Sequence, residues 1–145
     1  SWEAAMSFAG VNYLSIVLAA VASFLFGGIW YGALAKPWLR ALGKSDAELK
    51  SSTAPMPVLF AMTIVAQLVM AWVLAGIIGH LGPGQVTLRS GLIAAALCWV
   101  GFVGTAIVIN HGYQGTRSIL TLIDGGHWLG VLLIQGAIIG WMGVS

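Results

Sequence analysis

The chain has 145 residues, of which 59% are hydrophobic and only 7% charged, with a mean hydropathy of +0.97. Soluble domains are about a quarter charged, so a water-soluble globule is excluded, and the solvent that suits such a surface is lipid. The net charge of +2 is too small and too dispersed for a nucleic-acid footprint, and the single cysteine, Cys98, offers neither an intramolecular disulfide nor a CxxC redox pair.

In chain order, Ser1-Trp2-Glu3-Ala4-Ala5 has neither the basic start nor the cleavage site of a secretory signal. Met6-Ser7-Phe8 reads as a natural start, so residues 1–5 are expected to be an appended segment. Four apolar stretches come next, at about 11–31, 58–79, 91–110 and 119–142. Each is long enough to cross about 30 Å of hydrocarbon as a helix, which takes roughly 20 residues. Four strands cannot close a barrel, so helices are the only spanning form open to these segments. The fold class expected is therefore all-α: a single four-transmembrane-helix bundle over residues 1–145.

Between the first two spans lies the one long loop, 32–57. Lys36-Pro37-Trp38-Leu39-Arg40-Ala41-Leu42-Gly43 reads as a short helix with Pro in its first turn and Gly after its end. Ser45-Asp46-Ala47-Glu48 is a capping box that opens a second. Both are expected to lie along the membrane surface. Pro55 and Pro57 start the second span, while 80–89, with Gly82-Pro83-Gly84, and 111–117 are expected as tight turns. Lys36, Arg40, Lys44, Lys50 and Arg117 share one side of the membrane and Arg89 stands alone on the other. That bias places loops 32–57 and 111–118 in the cytoplasm, with the termini outside, in an inner membrane. Trp30, Tyr31 and Trp38 fall at the inner aromatic belt and Trp141 at the outer one.

Helices in lipid associate largely through small residues that let backbones approach. Such ridges occur on every span: Ala19, Ser23 and Gly27; Ala71, Ala75 and Gly79; Gly101 and Thr105; Gly126 with Gly130, and Gly136 with Gly140. This exceeds what four helices need, and it leads us to expect a homo-oligomer with helix four or helix one at the contact. Purely intramolecular use of the ridges is the competing expectation.

Asp124 is the outstanding chemical position, the one acid inside a span. His127 and Gln135 fall within about 80° of it on a helical wheel. The three make a polar stripe that should face the bundle interior or a wet cavity, because an ionised group facing lipid is costly. One reading is a proton- or ligand-handling site with Asp124 as acceptor and His127 as partner. A second is an interhelical hydrogen-bond cluster reaching Asn12, Gln67 or Asn110. A third pairs Asp124 with a snorkelling Arg117. A metal site would need three or four ligands, and only Asp124, His127 and His111 could be gathered, so no metal is expected. Haem between two histidines fails on depth, and no nucleophilic triad is present. No cofactor is expected.

The chain resembles the bacterial integral membrane family called domain of unknown function 1761. The resemblance rests on Val11-Asn12-Tyr13-Leu14, Gly28-Ile29-Trp30-Tyr31-Gly32, Lys36-Pro37-Trp38, Trp99-Val100-Gly101-Phe102, Asn110, and Asp124-Gly125-Gly126-His127, in that order from Met6 onward. It implies four transmembrane helices and no assigned activity. It also implies Asn in many relatives where this chain has Asp124 and Tyr where it has His127, which would make acid–base chemistry at the pair peculiar to this chain. The expectation is a non-enzymatic, oligomeric structural or accessory component, whose partners are the bilayer, copies of itself or other membrane proteins. The alternative is a small transporter or channel using the Asp124–His127–Gln135 stripe.

Overall fold

The computed structural model describes residues 10–145; the expected start at Met6 and the segment before it lie outside this range. Among the described residues there is no strand. An apolar chain must satisfy its own backbone amides, and the four long segments do so as helices long and apolar enough to span a membrane. They are α1 (Tyr13–Ala33), α4 (Met56–Gly79), a third span over Leu88–Tyr113, and α7 (Ser118–Met142). The third span is composite: α5 (Leu88–Cys98), a π-helical turn (Trp99–Gly104) and α6 (Thr105–Tyr113).

In the long loop, α2 (Ala35–Leu42) ends at Gly43, whose φ of +69° is the left-handed conformation that glycine adopts most cheaply. The next helix, α3 (Asp46–Ser52), starts as its capping residues dictate: the Ser45 hydroxyl accepts from the Glu48 amide at 3.1 Å. The third span begins three residues earlier than expected because Thr87 and Ser90 cap each other's backbone amides, drawing Leu88–Ser90 into the helix. It also ends three residues later, so His111 is a helical residue and not part of a turn.

The helix α7 is the hub. It packs along α1 on one side and α5 on the other, while α4 lies chiefly against α1. Of the most apolar window of each span, 44% is buried for α7 and only 6% for the third span. The α5–α7 contact is a backbone contact. Gly91 meets Gly136 and Gly140, and a Cβ on any of the three would run into the opposite main chain. On the α1 side, Gly27 lies against the His127 ring, Gly126 against the Trp30 indole and Gly130 against the Phe26 ring. Ala19 and Ser23 are fully buried. Much of the ridges on helices one and four is thus occupied inside the molecule.

One end of the α1–α7 pair, where the N-terminus of α1 meets the C-terminus of α7, is tied by a single residue. Asn12 caps α1 by accepting from the Ser15 amide at 3.1 Å, and its side-chain amide donates to the Met142 and Gly143 carbonyls at the end of α7. The Ser15 hydroxyl adds a bond to the Gly143 carbonyl at 3.1 Å. Helix termini leave carbonyls and amides without intrahelical partners, and here each terminus supplies what the other lacks.

Candidate functional site

Two glycines set the geometry around Asp124. Gly125 and Gly126 expose bare backbone on opposite flanks of α7, and a tryptophan lies on each. Trp99 from the π turn donates its indole N–H to the Gly125 carbonyl at 2.9 Å. Trp30 from α1 donates to the Ile123 carbonyl at 3.0 Å. A Cβ on Gly126 would come within 2.9 Å of the Trp30 ring, and one on Gly125 would sit 3.7 Å from Trp99. The two indoles therefore clamp α7 at one level. Trp30 and Tyr31, expected as belt residues, point into the bundle; Trp141 is 78% exposed, as a belt residue would be.

Asp124 lies about six residues, or roughly 9 Å of helix rise, into α7. One carboxylate oxygen accepts from the Tyr31 hydroxyl at 2.7 Å. The other is 3.9 Å from His111 Nε2, beyond hydrogen-bond reach but close enough for a charged pair if the imidazole is protonated. His111 Nδ1 lies 2.8 Å from the Thr121 hydroxyl, with the donor set by the tautomer. The carboxylate and the imidazole are both mostly enclosed, 25% and 17% exposed. Three spans thus meet at Asp124: α1 through Tyr31, α6 through His111, and α7 itself.

The remaining stripe residues belong to different environments. His127 is 5% exposed and enclosed by aromatic rings: Phe26 is stacked at 6.1 Å, Tyr31 lies at 4.8 Å and Trp128 at 4.6 Å. Its Nδ1 has no hydrogen-bond partner. Gln135 lies two turns and more beyond, in a closed knot. Its amide donates to the Ser23 hydroxyl at 3.1 Å and, at 3.4 Å, to the Gln67 carbonyl, while Ser23 meets Gln67 Oε1 at 3.1 Å. All three are buried, and they join α1, α4 and α7. Asp124, His127 and Gln135 do share a face, but residues on one face at different heights meet different neighbours. The hydrogen-bond cluster expected with Gln67 exists, though around Gln135 and not around Asp124.

Arg117 is not Asp124's partner. It stands before α7 in an extended conformation and donates to the Arg40 carbonyl at 2.8 Å, near the C-terminus of α2. A cation suits that end of a helix, where carbonyls are unsatisfied. Asn110 is exposed and no part of the Asp124 cluster. Asn12 serves the helix ends described above. Among the described residues no group of three or more His, Cys, Asp and Glu side chains could hold a metal.

What sequence reasoning missed at Asp124 is Tyr31 and Thr121, while His111 figured beside it only as a metal ligand. The reason for His111 is geometric. In an unbroken α-helix, 20 residues at about 100° each would leave His111 roughly 200° around from Gly91, turned away from α7. The π turn adds a residue to one revolution and rotates all of α6 back by about 100°. Within it the Trp99 indole lies along the helix over Gly104; a Cβ there would be 3.3 Å from the ring. Beside it, between the π turn, α6 and α7, is an apolar groove of about 500 Å³ that includes Gly104, Val108, Thr121, Leu122 and Gly125.

The residues that converge here are those that carried the resemblance: Trp30, Tyr31, Trp99 and Asp124-Gly125-Gly126-His127. The model of one family, described as a protein of unknown function (DUF1761), matches residues 14–140. The chain belongs to the DUF1761 family. No curated protein and no solved structure gives a significant match. Within this DUF1761 chain Gly126 has a physical reason, since a side chain there would run into the Trp30 indole, while a Cβ on Gly125 would only touch Trp99 at an ordinary contact distance.

Proposed function

We propose that this DUF1761 protein is a non-enzymatic, homo-oligomeric bundle of the inner membrane that acts as a structural or accessory component. The observation that carries the reading is that its intramembrane polar groups are enclosed in small separate clusters, even where an atom such as Gln135 Oε1 or His127 Nδ1 has no hydrogen-bond partner. Gln135 and Gln67 are closed into a knot with Ser23, and His127 is walled in by rings. A conduction path needs polar groups at successive depths that share water, and here the rings around His127 stand between Asp124 and the Gln135 cluster. That weighs against the transporter or channel reading built on the Asp124–His127–Gln135 stripe.

Oligomer formation has its support in what the fold leaves uncovered. With the α1 and α7 ridges engaged internally, small residues with open space beside them remain at Gly28 and Gly32 on α1 and at Gly101 on the third span. The third span is also the least enclosed. Close approach of a second copy through such positions gains dispersion contact that lipid chains supply less well. In mild detergent or nanodiscs the protein is expected to have the mass of a dimer or larger by light scattering, and Gly101→Leu to lower it. A strict monomer at all concentrations would overturn the oligomer.

A further inference from the structure

We propose that the end of the bundle carrying Arg40 and Arg117 holds a phospholipid with an anionic head, its phosphate on those two arginines and one acyl chain in the groove between α6 and α7. The head site is a gathering of cations without counter-ions. Lys36 and Arg40 lie one turn apart on α2 and so share a face. Lys44 follows directly on Gly43, which caps that helix. Arg117, 77 residues away from Arg40, joins them because its Nη1 donates to the Arg40 carbonyl at 2.8 Å. All four cations are exposed.

The described acids are engaged elsewhere. Asp46 pairs with Lys50 at 3.1 Å, Glu48 accepts from the Ser45 hydroxyl and Asp124 accepts from that of Tyr31. Among the described residues no carboxylate pairs with any of the four cations. Arg117 spends one N–H on Arg40, and a guanidinium has five. Donors therefore remain for a phosphate, which arginine grips in bidentate fashion. A cluster of four basic residues at the end of a membrane span is the kind that recognises anionic lipid heads.

The groove supplies room for the other part of the same molecule. Its α7 wall runs from Thr121 to Leu129, and Gly104 and Val108 stand across from it. Thr121 is four residues after Arg117, so the groove starts about 6 Å of helix rise from that cation and continues for about 12 Å. One leaflet holds about 15 Å of hydrocarbon, half of the bilayer core. The groove thus occupies the depth through which a chain attached to a phosphate at Arg117 must pass. With no buried residue in α6, its outer wall stands at the lipid boundary. A second copy seated there, the same way up in the membrane, would bring its own uncompensated cations to the same level. An anionic lipid neutralises them, and that charge complementarity selects the lipid. Such a site exists on monomer and oligomer alike.

The test is native mass spectrometry of the delipidated full chain in mild detergent, titrated with phosphatidylglycerol or with phosphatidylcholine of the same chains. The first phosphatidylglycerol is expected to bind about 10-fold or more tightly than phosphatidylcholine, since each cation near the surface contributes about 5-fold. Arg40→Gln with Arg117→Gln should remove most of that preference. Lys50→Gln with Arg89→Gln, an equal loss of charge elsewhere, should keep it. If the arginine variant fails to fold, Lys36→Gln with Lys44→Gln is read in the same way and should also reduce the preference. Val108→Trp, at an exposed position in the groove wall, should weaken both lipids alike. Glycerophosphoglycerol, the head without its chains, should not displace the lipid even in large excess. Equal affinity for the two lipids overturns the proposal, as does a preference that survives in the folded arginine or lysine variant or falls equally in the control. Displacement by the free head would mean a site for a soluble phosphate and overturns it too. So does a Val108→Trp protein whose lipid binding is unchanged; a loss of oligomer mass in that variant would give the groove to a second copy.

Discussion

At the scale of single residues, function and packing in this protein are decided by what glycine omits. Gly136 and Gly76 are both helical glycines in apolar spans, yet one faces the Gly91 main chain and the other open space. A methyl at Gly136 must push α5 away from α7, and overpacking of that kind costs about 1–3 kcal/mol. A methyl at Gly76 only removes glycine's backbone freedom, worth up to about 1 kcal/mol in favour of the helix. Gly136→Ala is therefore expected to lower the midpoint of reversible unfolding in mixed micelles, and Gly76→Ala to leave it unchanged or raise it. Equal effects of the two would show that the backbone contact is not what holds α5 in place. Gly126 has a related cause, since a Cβ there would come within 2.9 Å of the Trp30 ring. Sequence inspection could rank glycines by spacing but could not tell which of them had a neighbour.

At the scale of elements, helix ends and helix irregularities do the positioning. Asn12 serves the first turn of α1 and the last carbonyls of α7 together. Losing a side-chain cap typically costs about 1 kcal/mol, and the α7 carbonyls lose their donor at the same time. Asn12→Ala is thus expected to cost about 1–2 kcal/mol. Hydrogen exchange should speed up in the last turn of α7 as well as the first turn of α1. Exchange confined to α1 would mean that the link between the two ends carries no stability. The π turn is the other decisive element. The local cues around residues 32–57, Pro37, Gly43 and Ser45-x-x-Glu48, were readable because caps act through neighbours in the chain. The π turn was not, because the contacts of its Trp99 are made with another helix.

At the scale of the whole molecule, charge asymmetry and burial asymmetry run in different directions. Five of the six basic residues, Lys36, Arg40, Lys44, Lys50 and Arg117, gather at the end of the bundle that carries the Asp124 cluster. The positive-inside rule predicts that this end faces the cytoplasm. With Cys98→Ala as background, a cysteine at Gly84 is expected to react with an impermeant maleimide on intact cells, whereas one at Ser52 should react only after lysis. The reverse pattern would invert the orientation. Burial divides the spans across the bundle, from the enclosed α7 to the peripheral third span.

Composition and segment length alone determined that this chain forms four apolar helices with short connections and a basic loop between the first two. Those properties depend on how each stretch satisfies its own amides and transfers its own side chains, which are sums over neighbours in sequence. Tertiary structure decided which polar residues meet. It separated Asp124, His127 and Gln135 by depth, sent Arg117 to the end of α2, and brought His111 to Asp124 through an extra residue in one helical turn. Contacts between helices depend on relative height, rotation and local over- or underwinding, and none of these is a property of any one segment.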